Sequence, residues 1–507
     1  MGLPVLSIKS RNDRRLRAGH LWIFSNEVST QKTPLKGFRP GDEVTVLDNR
    51  DKPLGSACIN PATLICGRLH SFGPDVPLDR NLIGSRLASA LALREKCFSE
   101  PYYRLCFSEG DFLPGLTIDR FGSHLTIQVT TAGMEARKPL IRDALTELVH
   151  PSSLLWDNNL PSRVLERLPT ENETEGSVPE ELEVPENGCV YLVPALTGQK
   201  TGWYYDQRLN RAAAAKCCPG ADVLDCFSYV GGFGVAAARA GAKSVTFVDA
   251  SEQALSYCRR NMERNAPASG CETIQGDAFD LLNSLYDKGR RFDVVSIDPP
   301  ALIRREKDRK QGLMAYTRLN ILASHLVREG GVLVSSSCSQ HLDALELRSA
   351  ISRAAARTQR VARIFYQGGQ GPDHPANSAM LETSYLKMLH GQLHEITKNS
   401  AFPPPIQEFP MSDTDAGQNA GNAGQLPQIS FSTFILSLAS STLVQLGEVP
   451  NPETGSLTPN AELAKHGIDT LAMLRDKITN GLTPDESSML DSIIYELKMK
   501  YVSHSQK

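Results

Sequence analysis

One cysteine stands among serines in the segment VSSSCSQHLD at 334–343, at the end of the apolar run GGVLV. A thiolate at the end of a strand can attack an electron-poor carbon and form a covalent intermediate. Taken alone, Cys338 is better interpreted as a small residue packed into a sheet, because free cysteines are among the most buried residue types. The other chemistry-bearing stretches must therefore show whether a reaction here needs a nucleophile.

The stretch VLDCFSYVGGFGVAAARAGAKSVTFVDAS at 223–251 has the residues of a nucleoside-binding turn. Gly231, Gly232 and Gly234 follow an apolar run, where a strand must turn tightly into a helix and leave room for a ligand near the backbone. Asp249 ends the next run, where a carboxylate can accept hydrogen bonds from both hydroxyls of a ribose. Together these features predict a nucleoside-containing cofactor.

Two enzyme classes bind such cofactors, dehydrogenases with a dinucleotide and methyltransferases with S-adenosylmethionine. The dinucleotide spacing GxGxxG is absent, because the run at 231–234 is GGFG. In GDAFDLL at 276–282, Asp277 could hold an adenine amino group, and a helix N-cap is an equally good interpretation of that residue. The pattern favours S-adenosylmethionine.

The stretch FDVVSIDPPALI at 292–303 ends abruptly at Asp298, because the two prolines that follow cannot donate hydrogen bonds to a sheet. We expect the rigid turn to hold the Asp298 carboxylate toward a cleft, where such an element faces the target base or amine in methyltransferases of this layout. A plain strand terminator is the alternative interpretation.

A cysteine that faces the Asp-Pro-Pro turn can act as the nucleophile in one kind of methyl transfer. Nitrogen and oxygen acceptors attack a methyl sulfonium directly, whereas carbon 5 of a pyrimidine is too weak a nucleophile. A thiolate that adds to carbon 6 makes carbon 5 reactive, and it is expelled after a base removes the carbon-5 proton. We therefore predict Cys338 as the nucleophile, and Cys58, Cys66 and Cys226 as buried structural residues.

A further stretch, QKTGWYYDQRLNR at 199–211, precedes the predicted cofactor turn and combines aromatic and charged residues. This composition suits a lid over a ligand, and the start of a surface helix is the alternative interpretation.

The elements that must position these residues alternate between strands and helices from about residue 190 onward. Short β-branched runs separated by segments rich in Ala and Leu predict a doubly wound, mainly parallel sheet. Asp225, Asp249, Asp298 and Cys338 each fall at the end of such a run. Ligands of these sheets bind beyond the carboxyl ends of the strands, so we expect the four side chains to lie close together.

The whole chain divides into five predicted segments. Before the α/β part, a helix from about residue 80, a hairpin in LPGLTIDRFGSHLTIQVTT and a helix over about 134–149 indicate a mixed module. The acidic, proline-interrupted stretch 166–187 is predicted to be a loop. The segments are a β-rich domain at 1–75, a mixed module at 76–190, the α/β domain at 191–397, a flexible linker at 398–428 and three amphipathic helices at 429–507.

Composition narrows the class of protein. The 507 residues are 41% hydrophobic and 22% charged, with no apolar signal or membrane span, so a cytoplasmic protein without membrane contact is expected. Eleven cysteines lack ligand spacing, and no metal site is predicted. The net charge is −3, but basic residues cluster in the first 50 residues and in RREKDRK at 304–310. Such clusters are usually solvated surface unless the chemistry needs a polyanion.

Together, these stretches resemble the ribosomal RNA large-subunit methyltransferase I family, whose members make 5-methylcytosine in 23S ribosomal RNA. The resemblance covers about residues 4–397 and follows the family's order. Its motifs are HLWIFSNEV (20–28), SEGDFLPGLTIDRFG (108–122), TGWYYDQRLNR, DCFSYVGGFG, DPPAL, SSCSQHLD, DHP (373–375) and ETSYLKM (382–388).

The resemblance implies an α/β protein: a class I (Rossmann-like) methyltransferase domain, preceded by a β-rich PUA domain and a small α+β module, and followed by an all-α extension. It implies Cys338 as nucleophile and Asp298 near the methyl group. The implied S-adenosylmethionine site contains Gln207, Arg208, Asp225, Phe227, Tyr229, Gly231, Gly232, Phe233, Asp249, Ala250, Asp277, Ala278 and Asp298. Ribosomal RNA would contact the PUA domain and the basic residues Arg304, Arg305, Lys307, Arg309 and Lys310.

Two features depart from this pattern. Many other 5-methylcytosine enzymes carry a second cysteine directly after the Pro-Pro, whereas this chain has Ala301, so a different base must release the product. The last 80 or so residues have no counterpart in the family and resemble a small uncharacterised helical family of bacteria. Their apolar stripes suggest helix packing or an oligomer contact, with a homodimer or an unknown partner as expectations.

Three functions fit the sequence. The first is an RNA cytosine carbon-5 methyltransferase, and it is favoured because the cofactor elements and Cys338 occur together. The second is a ribosomal RNA methyltransferase that modifies another base atom, such as a guanine nitrogen, without covalent catalysis. The third is a non-catalytic RNA-binding assembly factor that uses the same fold as a scaffold.

Overall fold

The structure is a computed structural model that describes residues 2–196, 202–396, 431–449 and 459–477, with separate positions between 486 and 501. The chain divides into two compact units, Met1–Ile406 and Gln407–Lys507. The linker expected at 398–428 lies outside the described residues. Within the described part, no helix combines the length and apolar character needed to cross a membrane.

The N-terminal sheet has five strands in the order β1-β3-β4-β5-β2. Strand β1 runs parallel to β3, and the other pairs are antiparallel. Leu6, Val44, Val46 and Leu69 are fully buried in its core. The elements are β1 (Val5–Ser7), α1 (Arg14–Arg17), β2 (Trp22–Phe24), β3 (Asp42–Leu47), β4 (Pro53–Ile59) and β5 (Ile65–Ser71).

A second five-stranded sheet has the order β10-β9-β8-β7-β6 and is covered by helices. The predicted hairpin is present, and the helix expected over about 134–149 is divided in two, with Pro139 in the first turn of the second helix. The elements are α2 (Arg80–Cys97), β6 (Tyr102–Phe107), β7 (Leu116–Phe121), β8 (His124–Val129), α3 (Ala132–Glu135), α4 (Lys138–Val149), β9 (Ser153–Trp156), α5 (Pro161–Glu166) and β10 (Glu173–Gly176).

The prediction of a loop over the acidic stretch 166–187 is wrong. Besides β10, it contains β11 (Glu181–Glu186), which pairs with β12 (Cys189–Pro194) in a two-stranded sheet. Side chains of β11 alternate with the strand period of two, so Leu182 and Val184 are buried while Glu183 is exposed. Glu181 and Glu183 form ion pairs with arginines, which is why a highly charged sequence forms a strand here.

The α/β part contains a seven-stranded sheet in the order β15-β14-β13-β16-β17-β19-β18. The first five strands are parallel, and β19 is antiparallel to both of its neighbours. The elements are α6 (Arg208–Ala215), β13 (Asp222–Cys226), α7 (Gly232–Arg239), β14 (Ser244–Asp249), α8 (Glu252–Asn265), β15 (Gly270–Gln275), α9 (Ala278–Asp287), β16 (Phe292–Ile297), α10 (Arg309–Leu326), β17 (Val327–Ser337), α11 (Ala344–Arg357), β18 (Arg360–Gly368) and β19 (Lys387–Glu395).

The strand order reverses at β13, whose neighbours β14 and β16 connect to it in opposite directions. In open α/β sheets the crevice at such a reversal is where ligands bind. Both faces of the sheet are apolar: Leu224 and Val295 are buried on one side, and Val223 and Val294 on the other. The fold therefore places the candidate ligand site at the carboxyl ends of β13, β14, β16 and β17.

Gly234 allows α7 to pack tightly on the sheet. A Cβ at this position would lie 2.3 Å from Cε1 of Phe247 and 2.8 Å from Cγ1 of Val245, which are both buried. We expect Gly234→Ala to destabilise the first unit by about 1–3 kcal/mol, because the core would be overpacked. Gly84 on α2 has open space around the same position, so Gly84→Ala should stabilise by about 0.5–1 kcal/mol. Thermal unfolding of both variants tests this, and equal melting temperatures would contradict it.

The C-terminal unit is helical in its described residues, with α12 (Phe431–Leu446) and α13 (Ala461–Lys477). Ile435, Ala464, Ile468 and Leu471 are buried between them. The third predicted helix lies mostly outside the described residues; its described positions are helical, and Leu490, Ile494 and Leu497 are buried at helical spacing.

Candidate active site

A cavity of about 570 Å³ opens at the carboxyl ends of the parallel strands. This volume is within the roughly 300–1,000 Å³ typical of small-molecule sites. Phe227, Asp249, Asp298 and Cys338 line it from the ends of four different strands. The parallel sheet thus brings together residues that are more than a hundred positions apart in sequence.

The cavity separates the residues predicted from sequence into two groups. The predicted residues that line it are Gln207, Phe227, Tyr229, Gly232, Phe233, Asp249, Ala250, Asp298 and Cys338. The predicted residues outside its lining are Arg208, Asp225, Gly231, Asp277 and Ala278.

The turn between β13 and α7 has an unusual backbone. Phe227, Tyr229 and Gly231 have positive φ angles of 62°, 49° and 89°. Two non-glycine residues with positive φ so close together are costly, and such strain concentrates at ligand sites. Asp249 stabilises the turn, because its Oδ2 accepts a hydrogen bond from the Tyr229 amide at 2.9 Å and its Oδ1 accepts one from Ser251 at 2.9 Å.

Asp225 lies beneath this turn and supports it. Its Oδ2 accepts a hydrogen bond from the backbone amide of Gly234 at 2.8 Å, and the side chain is buried. Burial raises the pKa of Asp225 to about 7, with the nearby charges of Asp298 and Asp249 adding to the rise. Asp225 therefore shapes the turn from below.

Asp298 is held by two partners at the start of the Asp-Pro-Pro turn. The side-chain amide of Gln207 donates to both carboxylate oxygens at 2.9 Å, and the Ser336 hydroxyl donates to Oδ1. Burial raises the pKa of Asp298 to about 6, although the Ser336 hydrogen bond opposes the rise. A group with this pKa can both donate and accept a proton near neutral pH. Asn210 donates to Oε1 of Gln207 at 2.7 Å and so fixes the amide's orientation.

Cys338 follows β17, with its Sγ 3.9 Å from the carbonyl oxygen of Pro299 in the Asp-Pro-Pro turn. The serines on either side of it are buried and hydrogen bonded: the Tyr316 hydroxyl lies 2.8 Å from both Ser337 Oγ and Ser339 Oγ. The serine-rich sequence around Cys338 is therefore a hydroxyl network that fixes the backbone and directs the thiol into the cavity.

The stretch predicted as a lid over a ligand contributes aromatic residues to the cavity lining, whereas the sequence did not single out Tyr385. Trp203, Tyr204 and Tyr385 line the cavity, and the Tyr385 hydroxyl donates a hydrogen bond to Asp206, another lining residue. Burial raises the pKa of both tyrosines, which therefore stay neutral. They lie in the stretches WYYDQRLNR and ETSYLKM, so the signal was present, but no local pattern indicates that these distant stretches meet.

Arg208 does not reach the cavity, contrary to the expectation that it closes over the cofactor. Its guanidinium lies 4.5 Å from the ring centre of Phe98 and forms an ion pair with Glu186 at 3.4 Å. Arg211, one helical turn later, lines the cavity instead and is held by Glu186 through two hydrogen bonds of 2.7 and 2.8 Å. The direction of α6 decides which of these arginines faces the ligand.

Asp277 and Ala278 also have structural roles. The Asp277 side chain is exposed and accepts hydrogen bonds from the amides of Phe279 and Asp280, which is the N-cap alternative from the sequence. Ala278, the first residue of α9, is buried in the core.

The basic segment 304–310 begins shortly after Ala301, which lines the cavity. Arg305 forms an ion pair with Asp308 at 2.7 Å, and Arg309 with Glu346 at 2.5 Å. Within the described ranges, the exposed side chains of Arg304, Lys307 and Lys310 have no carboxylate within ion-pair distance. Three of the five predicted RNA-contacting cations therefore retain uncompensated charge beside the cavity.

One cluster of potential metal ligands, Glu43, Cys58 and His70, occurs among the described residues. Arg137 forms an ion pair with Glu43 at 2.8 Å, and Nε2 of His70 lies 2.8 Å from the Val76 carbonyl. Burial raises the pKa of the Cys58 thiol to about 12, which opposes formation of a metal-binding thiolate. We assign no metal to this cluster.

Comparison with protein families divides the chain in the same order. A PUA-like domain family matches residues 6–72, the family described as conserved hypothetical protein 95 matches 210–337, and a domain of unknown function, DUF1844, matches 428–503. Two solved structures share the fold, each covering 77% of this chain and the whole of the other at 21% identity. They are a methyltransferase complexed with SAH, with a TM-score of 0.67, and a SAM-dependent methyltransferase from Streptococcus mutans, with a TM-score of 0.65. The predicted fold class is confirmed.

Curated relatives match over nearly their whole length. Proteins named ribosomal RNA large subunit methyltransferase I from Aeromonas hydrophila and Erwinia tasmaniensis are 36% and 35% identical, over 77% and 76% of this chain and 99% and 98% of theirs. The protein of that name from Escherichia coli K12 is 33% identical over 76% of this chain and 98% of its own. This chain belongs to the ribosomal RNA large subunit methyltransferase I family.

Proposed function

We propose that this protein is an S-adenosylmethionine-dependent methyltransferase that forms 5-methylcytosine in 23S ribosomal RNA through a covalent Cys338–cytosine adduct. One observation carries the proposal: the thiol of Cys338 and the carboxyl of Asp298 share a cavity with a nucleoside-type turn. The names of the relatives support ribosomal RNA as the substrate.

The cavity fits the cofactor in size and in chemistry. The Asp249 carboxylate lines it at the end of β14, where it can accept hydrogen bonds from the ribose hydroxyls. Phe227 and Phe233 form an apolar part of the cavity wall. Gly232 has no side chain, so the ligand can approach the backbone there. When bound, S-adenosylmethionine supplies an electrophilic methyl group.

Cys338 and Asp298 act on different atoms of the cytosine ring. The thiolate of Cys338 adds to carbon 6 of the ring, and the protonated form of Asp298 gives its proton to nitrogen 3, which would otherwise accumulate negative charge. The resulting enamine makes carbon 5 nucleophilic. Because the pKa of Asp298 is about 6, a substantial fraction of the carboxyl is protonated just below neutral pH.

Release of the product needs a base for the carbon-5 proton. Ala301 has no side chain that can take it, although it lines the cavity at the position of the second cysteine in other enzymes. The carboxylates in the described lining are Asp206, Asp249 and Asp298. Since Asp249 faces the ribose in this proposal, Asp206 and Asp298 are the side chains placed for proton removal. Loss of that proton restores the ring double bond and expels the thiolate, and nitrogen 3 releases the proton it received from Asp298 to solvent.

The RNA must bring its target base out of the stack to enter the cavity. We propose that the PUA-like domain and the basic segment 304–310 bind the flanking RNA, because the segment begins three residues after Ala301 at the cavity wall. Single-stranded loops present their bases in this way without the cost of melting a duplex.

Neutralising the uncompensated cations of this segment should weaken RNA binding. The logarithm of the RNA-binding constant falls as the logarithm of the salt concentration rises, and each phosphate contact to a single strand contributes roughly 0.7 to the steepness of this fall. We therefore expect the triple variant Arg304→Gln, Lys307→Gln, Lys310→Gln to make the fall less steep by about 2. Arg305→Gln is the matched control, because Asp308 already compensates that charge. Binding titrations of an rRNA fragment at several salt concentrations test the prediction, and equal slopes for both variants would contradict it.

A second function, methylation of another base atom such as a guanine nitrogen, is favoured by one observation. Ala301 occupies the position of the second cysteine found in many 5-methylcytosine enzymes, so the product-release step has to use another group. In this case the acceptor nitrogen attacks the methyl group directly, and Cys338 takes no part.

Mass mapping of rRNA nucleosides separates the two functions. The rRNA of a strain that lacks this protein should lose one 5-methylcytidine, and a plasmid-borne wild-type copy should restore it. Loss of a methylated guanosine instead would establish the second function, and an unchanged set of methylated nucleosides would contradict both.

A further inference from the structure

We propose that Lys387 is a positioning residue that holds Cys338 in place and favours its thiolate form. The inference rests on the proposed function, because it takes Cys338 as the nucleophile. Nothing in the sequence patterns of the cofactor turn or the Asp-Pro-Pro turn indicates this lysine; its position follows from the pairing of β17 with β19.

Lys387 lies opposite the end of β17. In the antiparallel pair it is the register partner of Ser337, the residue before Cys338. Its Nζ donates hydrogen bonds to the carbonyl oxygen of Ser339, the residue after Cys338, at 2.5 Å, and to that of Tyr385 at 2.7 Å. Lys387 therefore contacts the backbone on both sides of Cys338, and its bond to Tyr385 connects this backbone to a residue that lines the cavity.

The charge of Lys387 has no carboxylate partner within 4.0 Å in the part of the chain that the structure describes. Burial lowers the pKa of Lys387 to about 8, while interaction with Cys338, then with Asp343 and Glu346, raises it. The ammonium is thus still mainly protonated at neutral pH. A cation close to a cysteine stabilises the thiolate over the thiol.

The phenols and the carboxyl near the thiol contribute no positive charge to it. Tyr204, Tyr316 and Tyr385 each interact electrostatically with Cys338, but burial raises the pKa of these phenols, so they are neutral. Asp298, on the facing turn, is neutral or negative. Arg211, the cation in the cavity lining, is already paired with Glu186. Among these described neighbours, Lys387 is therefore the cation that stabilises a thiolate at Cys338.

Lys387 lies outside the cavity lining and acts on Cys338 through the backbone that follows β17. Tyr385 and Leu386 line the cavity, whereas Lys387 does not, so its ammonium touches the backbone around Cys338 instead of the substrate. Lys387 keeps its proton, and the proton of the thiol passes to solvent before the cytosine is attacked. A purely structural role, in which Lys387 only joins two strands, would need the hydrogen bonds but not the charge.

Alkylation of Cys338 distinguishes these roles in the full-length protein without RNA. Iodoacetamide reacts with the thiolate, and peptide mass spectrometry reports the reaction at Cys338 separately from the other cysteines. We expect Lys387→Gln and Lys387→Met to raise the pH of half-maximal rate by about one unit, the low end of the effect of a nearby charge. Lys387→Arg, which keeps the charge, should remain near the wild-type midpoint. The exposed Lys288 on the surface of the same domain gives the matched control, Lys288→Met.

An unchanged midpoint in both neutral variants would overturn the proposal, and so would a shift as large in Lys387→Arg. If Lys387→Met fails to fold, as judged by thermal unfolding, Lys387→Gln retains a hydrogen-bond donor and decides the matter. The readout does not depend on methyl transfer. A shifted midpoint together with full activity of Cys338→Ala would support Lys387 as the residue that tunes this thiol and would contradict the covalent function instead.

Discussion

Replacing Cys338 with alanine is expected to abolish methyl transfer and to leave S-adenosylmethionine binding within about threefold of wild type. Removal of an essential nucleophile costs on the order of 10⁴-fold or more in turnover, because carbon 5 of cytosine does not react without the carbon-6 adduct. Cofactor binding should persist, since the turn of Phe227 and Tyr229 and the carboxylate of Asp249 do not depend on the thiol for their hydrogen bonds. A single-turnover methylation assay and calorimetry measure the two properties separately.

Cys271→Ala is the matched control for this experiment. Cys271 is an exposed cysteine on β15 at the edge of the same sheet, and it does not line the cavity. Its replacement should leave activity unchanged. Retention of more than about a tenth of wild-type activity by Cys338→Ala would exclude Cys338 as the nucleophile and favour direct methylation of a base nitrogen.

Asp298→Asn is expected to reduce turnover by about 10²–10⁴-fold, the usual contribution of a positioned acid or base. Asparagine can still accept a hydrogen bond from Gln207 or Ser336, but it cannot give a proton to nitrogen 3 of the cytosine. The substitution therefore removes the proton transfer and keeps most of the packing. Wild-type activity in this variant would contradict the proposed role of Asp298.

The same variant should gain stability relative to wild type as the pH rises. Burial raises the pKa of Asp298 to about 6, so the folded protein binds this proton more tightly than the unfolded chain. The resulting stabilisation is fully present below about pH 4, near the pKa of an unfolded Asp, and is lost as the pH rises through about 6. Because asparagine stays neutral, the melting temperature of Asp298→Asn relative to wild type should increase between about pH 5 and pH 7. Asp287→Asn, at an exposed position on α9, should show no such trend.

Much of the site could be predicted because parallel strands end at a common edge. Apolar runs that stop at a polar residue predict Asp225, Asp249, Asp298 and Cys338, and three of these four line one cavity. The exception is Asp225, which lies beneath the turn between β13 and α7 and accepts a hydrogen bond from the amide of Gly234. Periodicity places a residue at a strand end, but whether its side chain points into the crevice or under the turn depends on the local twist.

Residues from helices and from the antiparallel strand could not be predicted in this way. Arg208 and Arg211 are three positions apart on α6, and the packing of that helix against α7 leaves Arg211 facing the cavity while Arg208 stacks on Phe98. Tyr385 precedes β19, which pairs with β17 although α11 and β18 lie between these two strands in the chain. Contacts between such distant segments leave no local pattern in one sequence.

The acidic stretch before the α/β part shows how composition can mislead. Its high charge and prolines indicate a loop, yet Leu182 and Val184 of β11 are buried, and Tyr257 on α8 donates a hydrogen bond to Glu181 at 2.8 Å. Ion pairs with α8 compensate the acids, so the strand tolerates them. We retain the division into segments at 1–75, 76–190, 191–397, 398–428 and 429–507 as a proposal.

Trapping the enzyme on RNA that contains 5-fluorocytidine tests the covalent chemistry most directly. Fluorine at carbon 5 leaves no proton to remove after methyl transfer, so the thiolate cannot be expelled and the protein stays joined to the RNA. We predict a denaturant-resistant complex that forms only with S-adenosylmethionine present and whose RNA-linked peptide contains Cys338. Absence of the complex with active wild-type enzyme, or attachment at any other residue, would contradict a Cys338–cytosine adduct.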